Sequence, residues 1–224
     1  GRHGPCLRAE LEPHQDPCRR CEGRRRDRCL RHLLRLGNWG VLGHVIFKNW
    51  RVEDLKEQIP GFDRIRQGCD FGFSDDPNAL IKVHVDRARK RLYVFDEWYQ
   101  AGMNDDELLR VCRNFCGNQY LICDSAEPKT IDFLATNNIK AVGAVKGADS
   151  INRGIRWLQS YEIIIDVHCQ NFKNEVEQYH WQEDKYGNAM AKPVDENNHL
   201  IDALRYALND EILAAQVRAG KTRL

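Results

Sequence analysis

The apolar positions of this chain first follow a two-residue period. CDFGF (69–73) is a short apolar run, and ALIKVHVD (79–86) alternates apolar and polar residues. RLYVFDEWY (91–99) follows after the polar turn ARKR (88–91). Alternation over such lengths predicts β-strands, and a short polar turn between two strands predicts a hairpin. This part of the chain is therefore expected to form an antiparallel three-stranded meander.

Helical segments then alternate with short apolar runs. NDDELLRVCRNFCG (104–117) has the capping residues, the apolar spacing and the terminal glycine of a helix. After it the predicted strands are QYLICDSA, IKAVGAVK and YEIIIDV, and the predicted helices are EPKTIDFLATNN, DSINRGIRWLQS and QNFKNEVEQYHW. A turn at 186–188 predicts a hairpin, and DENNHLIDALRYAL (195–208) predicts the last helix. The order predicts an α/β fold in which helices flank a mixed sheet.

Composition is that of a globular protein. The 224 residues are 42% hydrophobic and 30% charged, with a formal net charge of +1. This length supports one well-buried domain, with or without an appendage. The sequence contains no run of eighteen apolar residues and no apolar segment of the secretory type, so it predicts neither a membrane span nor a secretion signal.

The first 36 residues differ from the rest. They hold ten arginines, no lysine and five acidic residues, and they lack an aliphatic pattern. Such a segment is expected to be disordered. It is either a basic arm attracted to DNA, or non-native sequence from a shifted reading frame or a mis-set start. Cys18 and Cys21 have the spacing of half a zinc site, which Cys6 and Cys29, or His14 and His32, could complete.

Three aspartates fall at places where chemistry could use them, and one of them, Asp124, is at the strand end where open α/β sheets present ligands. Asp70 lies in the first strand, Asp124 ends the strand QYLIC, and Asp202 lies on the last helix. If they converge, the three carboxylates repel one another unless a cation holds them, and hard oxygen ligands suit Mg²⁺ or Mn²⁺. Two such ions can hydrolyse a phosphodiester. His199, three residues before Asp202, could assist the metal, protonate the leaving group or contact phosphate.

Two further residues are accessory candidates. Glu97 could be a fourth metal ligand, or simply a polar residue of a surface strand. Lys146 could face a phosphate, or be a solvated loop lysine. The chain has no GxxxxGK[ST] segment, so a P-loop for nucleotide phosphates is not expected.

Five motifs carry a resemblance to a known family. CDFGFSDDPNA, YVFDEWY, ICDSAEPKTI, VKGADSINRGI and NNHLIDALRYAL stand in the order seen in the nuclease domain of tailed-bacteriophage terminase large subunits. The resemblance runs from about residue 66 to 210. It implies a ribonuclease H-like fold and a metal-dependent endonuclease that cuts concatemeric viral DNA during genome packaging.

The resemblance also implies roles and partners. Asp70, Asp124 and Asp202 match the family's metal-binding aspartates, and His199 matches the histidine before the last of them. The family's β-hairpin corresponds to residues 178–193, which makes Lys185, Tyr186 and Lys192 the expected DNA-binding residues. Double-stranded DNA, a small terminase subunit and a portal protein are the implied partners, and the host bacterial cytoplasm is the implied location.

The resemblance divides the chain into a leader (1–36), a linker remnant (37–62), a nuclease domain (63–215) and a tail (216–224). The family's N-terminal ATPase is not matched, so the chain is expected to be a fragment or a defective prophage copy that cuts but does not translocate DNA. Two alternatives stay open. One is another ribonuclease H-like enzyme: a transposase, integrase or junction resolvase. The other is a non-catalytic DNA-binding module.

Overall fold

The structure, a computed structural model, describes residues 44–72 and 76–221, with side chains described through residue 218. The basic leader (1–36) and its four cysteines lie outside these ranges, so the interpretations of that segment stay predictions. Among the described helices, none combines the length and the apolar character that a membrane crossing needs.

Seven strands form one mixed sheet. They are β1 (Trp50–Glu53), β2 (Ile65–Asp70), β3 (Pro77–Asp86), β4 (Arg91–Ala101), β5 (Tyr120–Cys123), β6 (Lys140–Gly143) and β7 (Glu162–Asp166). Their order across the sheet is β1-β7-β4-β3-β2-β5-β6. β3 is antiparallel to β2 and β4, and every other neighbouring pair is parallel. The predicted meander and the mixed sheet are confirmed.

Six helices and a separate two-stranded hairpin complete the described fold. The helices are α1 (Asp105–Cys116), α2 (Pro128–Thr136), α3 (Ser150–Gln159), α4 (Gln170–Gln178), α5 (His199–Ala207) and α6 (Asn209–Lys221). The hairpin consists of β8 (Trp181–Glu183) and β9 (Ala189–Pro193). Helix α6 includes six residues, 216–221, of the segment that the sequence predicted as a tail.

Helices cover both faces of the sheet. Apolar residues of α3, α4, α5 and α6 pack with β3, β4 and β7 in one buried cluster, and those of α1 and α2 pack with β2 and β5 in another. Helix α1 begins at Asn104, whose side chain accepts from the Glu107 N–H while the Glu107 carboxylate accepts from the Asn104 N–H. This reciprocal capping agrees with the helix start that the sequence predicted.

Strand β1 was not predicted from the sequence. It pairs in parallel with β7 at one edge of the sheet, and the preceding Ile46 and Phe47 are buried. The backbone N–H of Leu55 donates to Asp166 Oδ2 at 2.8 Å. The described part of the segment 37–62 is therefore built into the sheet, while its assignment as a remnant that joins a missing ATPase stays a prediction.

Helix α5 lies directly on β2 at Gly68. A methyl group added at Gly68 would stand 1.9 Å from the carbonyl oxygen of Ala203 and 2.7 Å from the backbone nitrogen of Ala207. These contacts are with helix backbone, which cannot rotate away as a side chain does. Glycine at this position, opposite two alanines, therefore sets the distance between the helix and the strand.

We expect Gly68→Ala to destabilise the fold by about 3 kcal/mol or more, because overpacking against backbone forces the helix off the strand. The free energy of unfolding, measured by urea denaturation, tests this. Gly61→Ala is the matched control, since nothing lies within 4 Å of a methyl group at that position. Equal stability of the two variants would contradict the close contact.

Candidate active site

Asp70 and Asp124 leave the sheet side by side. Asp70 is the last residue of β2, rather than lying inside a longer strand as the sequence predicted. Cys69 and Cys123 are opposed in the parallel pair β2–β5, and the Asp124 N–H donates to the Cys69 carbonyl at 3.0 Å. Because parallel strands present their carboxyl ends at the same edge, the two carboxylates start from adjacent positions.

Helix α5 brings His199 and Asp202 to the same edge. His199 Nδ1 lies 3.1 Å from Asp70 Oδ2. The buried Glu175 of α4 fixes the start of α5, since its Oε2 accepts from the N–H groups of Leu200 and Ile201 at 2.9 and 3.0 Å. A side-chain oxygen that accepts from the first N–H groups of a helix caps that helix.

The predicted residues share one cleft of about 640 Å³. Asp70, Asp124, Asp202 and His199 line it, together with Asp76, Pro77, Tyr99, Asp195, Glu196, Asn197, Asn198 and Tyr206. The aspartates interact: Asp202 and Asp124 each contribute to raising the pKa of Asp70, after the larger effect of burial. The structure thus places these four residues together as the sequence predicted.

A basic side chain pairs with each of the three aspartates. His199 contacts Asp70, Lys146 forms an ion pair with Asp124, and Arg205 binds Asp202 with Nη2–Oδ2 at 2.7 Å and Nε–Oδ1 at 3.0 Å. This places Lys146 at the site. The three carboxylates therefore converge without an unpaired buried charge, which would be costly.

The pKa values of these carboxyl groups reflect two opposing effects: burial raises them, and ion pairing lowers them. Burial raises the pKa of Asp70 and of Asp202, and their basic partners offset only part of it. Burial would also raise the pKa of Asp124, but the Lys146 ammonium and the Ala126 N–H outweigh it and lower that pKa. The hydrogen bond to Asp70 raises the pKa of His199, so its protonated form is favoured beside the cleft.

Arg205 was not predicted as a site residue. Its side chain is 6% exposed, and its aliphatic part lies over Gly154 of α3, where a methyl group would stand 2.9 Å from Arg205 Cδ. The sequence signal was available, because an arginine three residues after a helical aspartate, inside the apolar stripe of DALRYAL, needs a buried acidic partner. Glycine in α3 makes the room for it.

The donor set suits a hard divalent cation. Carboxylate oxygens are the ligands that Mg²⁺ and Mn²⁺ prefer, and Asp70, Asp124 and Asp202 all face one cleft. Over residues 44–72 and 76–221, no three His, Cys, Asp or Glu side chains stand close enough to hold a metal ion as they are placed. The residues fit such a cation by chemistry, and each would exchange a basic partner for it.

The structure does not bring Glu97 to the cleft. Its carboxylate accepts from the N–H groups of Asn171 and Phe172 at 2.9 Å each, and so caps the first turn of α4. The expected fourth ligand therefore has a structural contact in this geometry, and burial raises its pKa. The hairpin residues Lys185, Tyr186 and Lys192 also lie outside the cleft, with Tyr186 76% exposed near the turn.

Comparison with protein families matches the chain over residues 70–210 to the terminase RNase H-like domain. The terminase large subunit of Bacillus phage SPP1 is 36% identical over 183 residues, covering 76% of this chain and 42% of that protein. The PBSX phage terminase large subunit of Bacillus subtilis (strain 168) is 30% identical over 202 residues, covering 87% of this chain and 47% of the relative. The chain thus spans less than half the length of these relatives.

A solved structure matches the described fold. The crystal structure of the g2p (large terminase) nuclease domain from bacteriophage SPP1 with bound Mn has a TM-score of 0.69 and 35% sequence identity to this chain. The match covers 74% of this chain and 98% of that domain. The ribonuclease H-like fold and the terminase resemblance are confirmed.

The raised pKa of Glu175 predicts how the stability of the fold depends on pH. Burial raises its pKa to about 8, although the N–H groups of Leu200 and Ile201 oppose the rise. A raised folded-state pKa means that the folded protein holds a proton that the unfolded chain releases, so the contribution is complete below about pH 4.5 and is lost as the pH rises through about 8. We expect the free energy of unfolding to fall over this window by up to about 5 kcal/mol, at about 1.36 kcal/mol for each pH unit.

Glu175→Gln should remove this fall, because the amide oxygen still accepts the two N–H bonds and no charge forms. The measurement is urea denaturation at pH 5 and at pH 8.5. Glu177→Gln is the matched control, since Glu177 is an exposed residue of the same helix that pairs with Lys173 at 3.2 Å. A parent and a Glu175→Gln variant with parallel pH profiles would show that Glu175 is ionised in the fold.

Proposed function

Because the chain belongs to the terminase RNase H-like domain family, we propose that it is the metal-dependent endonuclease part of a phage terminase large subunit. The reaction is hydrolysis of a phosphodiester in DNA. The observation that carries the proposal is the convergence of Asp70, Asp124 and Asp202, from two neighbouring strands and one helix, in a single open cleft. The bound Mn of the SPP1 nuclease domain, at 35% identity, supports the metal.

Asp70, Asp124 and Asp202 are the proposed ligands of two Mg²⁺ or Mn²⁺ ions. When bound, such ions supply an activated water and neutralise charge on the phosphate. His199 donates through Nδ1 to Asp70, which orients the ring and leaves Nε2 to hold a proton for the leaving oxygen. Asp70 thus serves both as a ligand and as the group that fixes the histidine.

Lys146 and Arg205 are proposed to keep the carboxylates ionised and in place. Arg205 holds Asp202 through two parallel bonds, a geometry that fixes orientation as well as charge. Lys146 lies over the ring of Tyr206, 5.4 Å from its centre, and pairs with Asp124. A lysine on a flexible stem can turn from Asp124 toward a substrate phosphate, which fits the accessory role expected for Lys146.

The biological substrate is proposed to be double-stranded, concatemeric viral DNA, cut during genome packaging in the cytoplasm of the host bacterium. The hairpin places Lys185 and Tyr186 near its turn, with the Lys185 ammonium 4.9 Å from the centre of the Tyr186 ring, and Lys192 on β9. These are the proposed DNA contacts of the hairpin. A small terminase subunit and a portal protein are the proposed partners, as for other large subunits.

The alternatives are less well supported. A transposase, integrase or junction resolvase would use a similar set of carboxylates, but the family match and both curated relatives are terminases. A non-catalytic DNA-binding module would not need three converging carboxylates, each paired with a basic side chain.

We expect the 224-residue chain to nick plasmid DNA with Mn²⁺ or Mg²⁺ and to be inactive in EDTA. Asp124→Asn should lower the rate at least about 100-fold, because the amide keeps the shape but loses the charge that holds the cation. The measurement is conversion of supercoiled plasmid on a gel. Asp132→Asn, at an exposed position of α2, is the matched control. A parent as inactive as Asp124→Asn would favour the non-catalytic reading.

Metal binding has a readout apart from activity. Mn²⁺ that binds only the folded state should raise the unfolding temperature as its concentration passes its dissociation constant. We expect this rise in the parent and in Asp132→Asn, and its loss in Asp70→Asn and in Asp124→Asn. A Mn²⁺ response that survives both site variants would mean that the ion binds elsewhere.

A further inference from the structure

A second cavity lies beside the cleft. It has a volume of about 250 Å³, and three parts of the chain form its walls: the loop after β6 with Lys146, the first turns of α3 with Ser150 and Arg153, and the α5–α6 region with Arg205 and Gln216. Asn209 joins two of these walls, since its side chain accepts from the Val145 N–H and donates to the Val145 carbonyl, both at 3.0 Å. The cavity is therefore a fixed feature.

Hydrogen-bond donors without acceptors face this region. Arg153 Nε and Gln216 Nε2 are buried, and neither has an acceptor within the part of the chain that the structure describes. Another nitrogen of Arg153 donates to the Ala148 carbonyl, which orients the guanidinium. Buried donors in native proteins are nearly always paired, so two of them lining one cavity indicate an absent acceptor.

The charge of the cavity favours an anion. Lys146, Arg153 and Arg205 line it, and Asp202 is the single acidic residue among its lining residues in the described ranges. Asp202 is already bound by Arg205 and Lys146 is paired with Asp124, so Arg153 contributes most to this attraction. The neighbouring Asp149 is held by Arg156 and Asn152 at 2.8 Å each. Helix α3 begins here without a side-chain cap, so its dipole adds to the attraction.

The cavity continues the proposed DNA path. Asp202 and Tyr206 line both the cavity and the cleft, so the two are separated by a wall one side chain thick. Asn152, between the lining residues Ile151 and Arg153 of α3, donates through Nδ2 to the Ala191 carbonyl of the hairpin at 3.2 Å. A DNA strand that contacts both the cleft and the hairpin would therefore run close to this part of α3.

From these observations we propose that the cavity binds one backbone phosphate of the DNA strand, adjacent to the phosphate that is cut. Arg153 is the principal contact and Gln216 an additional neutral donor. This inference rests on the proposed nuclease function. It assigns to Arg153 a role in DNA affinity that is separate from the chemistry at the three aspartates.

The test measures binding of a fluorescent DNA duplex to the 224-residue chain in EDTA, by anisotropy, over a series of KCl concentrations. We expect Arg153→Gln to weaken binding several-fold and to reduce the slope of log affinity against log salt by about 1, the loss of one phosphate contact. Arg113→Gln removes the same charge from an exposed position of α1, on the opposite face of the sheet, and should leave the slope unchanged.

A second variant separates binding from folding. Ser150→Asp places a carboxylate in the cavity wall at the start of α3, where an acidic residue stabilises the helix. We expect an unchanged or higher unfolding temperature together with weaker DNA binding, a combination that a damaged fold cannot produce. DNA binding equal to the parent in both Arg153→Gln and Ser150→Asp would overturn the proposal.

Inorganic phosphate distinguishes a DNA phosphate from a free one. Suppose that millimolar phosphate raises the unfolding temperature of the parent but not of Arg153→Gln, while both proteins have the same slope of log DNA affinity against log salt. The cavity then binds a free phosphate, and its assignment to a phosphate of the DNA strand is wrong. If the parent cuts plasmid and Arg153→Gln has the same salt slope as the parent, only this inference is contradicted and the nuclease function stands. A parent that neither binds nor cuts DNA contradicts the nuclease function as well.

Discussion

The site depends on the backbone contact between α5 and β2 at Gly68. The absence of a side chain on that strand residue allows the Ala203 carbonyl to approach, and the small residues Ala203 and Ala207 keep the helix low over the sheet. Asp70 ends the strand two residues after Gly68, and Asp202 immediately precedes Ala203. One steric condition therefore sets the separation of two of the three carboxylates and the distance from His199 to Asp70.

The negative charges of the three converging carboxylates must be balanced by positive charges, and separate elements of the fold provide them. Lys146 comes from the loop after β6, His199 and Arg205 come from α5, and Gly154 of α3 makes the room for Arg205. Because each aspartate has its own basic partner, the site can form without a divalent ion. A cation at the proposed site would have to displace these pairs, so its affinity would depend on Lys146 and Arg205 as well as on the three aspartates.

The features that were predicted correctly from the sequence are those that depend on local patterns. The meander follows from alternation in residues 79–99. Placing Asp124 at the carboxyl end of its strand was correct, whereas Asp70 was expected inside a strand that in fact ends at it. β1 escaped prediction because WRVE alternates over only four residues, too few to stand out, and its pairing with β7 is a distant contact. Glu97 shows the same limit. The strand pattern predicts which face of the sheet its side chain lies on, but it does not predict that helix α4 begins beside that side chain.

Asp202 is the residue at which the two charge environments meet. It lines the acidic cleft and the basic cavity, and Arg205 binds both of its oxygens. A cation arriving in the cleft would weaken the Arg205–Asp202 pair and leave the guanidinium with less neutralisation, in a cavity that already holds Arg153. The cavity would then become more attractive to a phosphate as the cleft takes up its metal. If the proposed cation and phosphate sites are both occupied, this shared wall would couple cation binding and DNA binding through electrostatics.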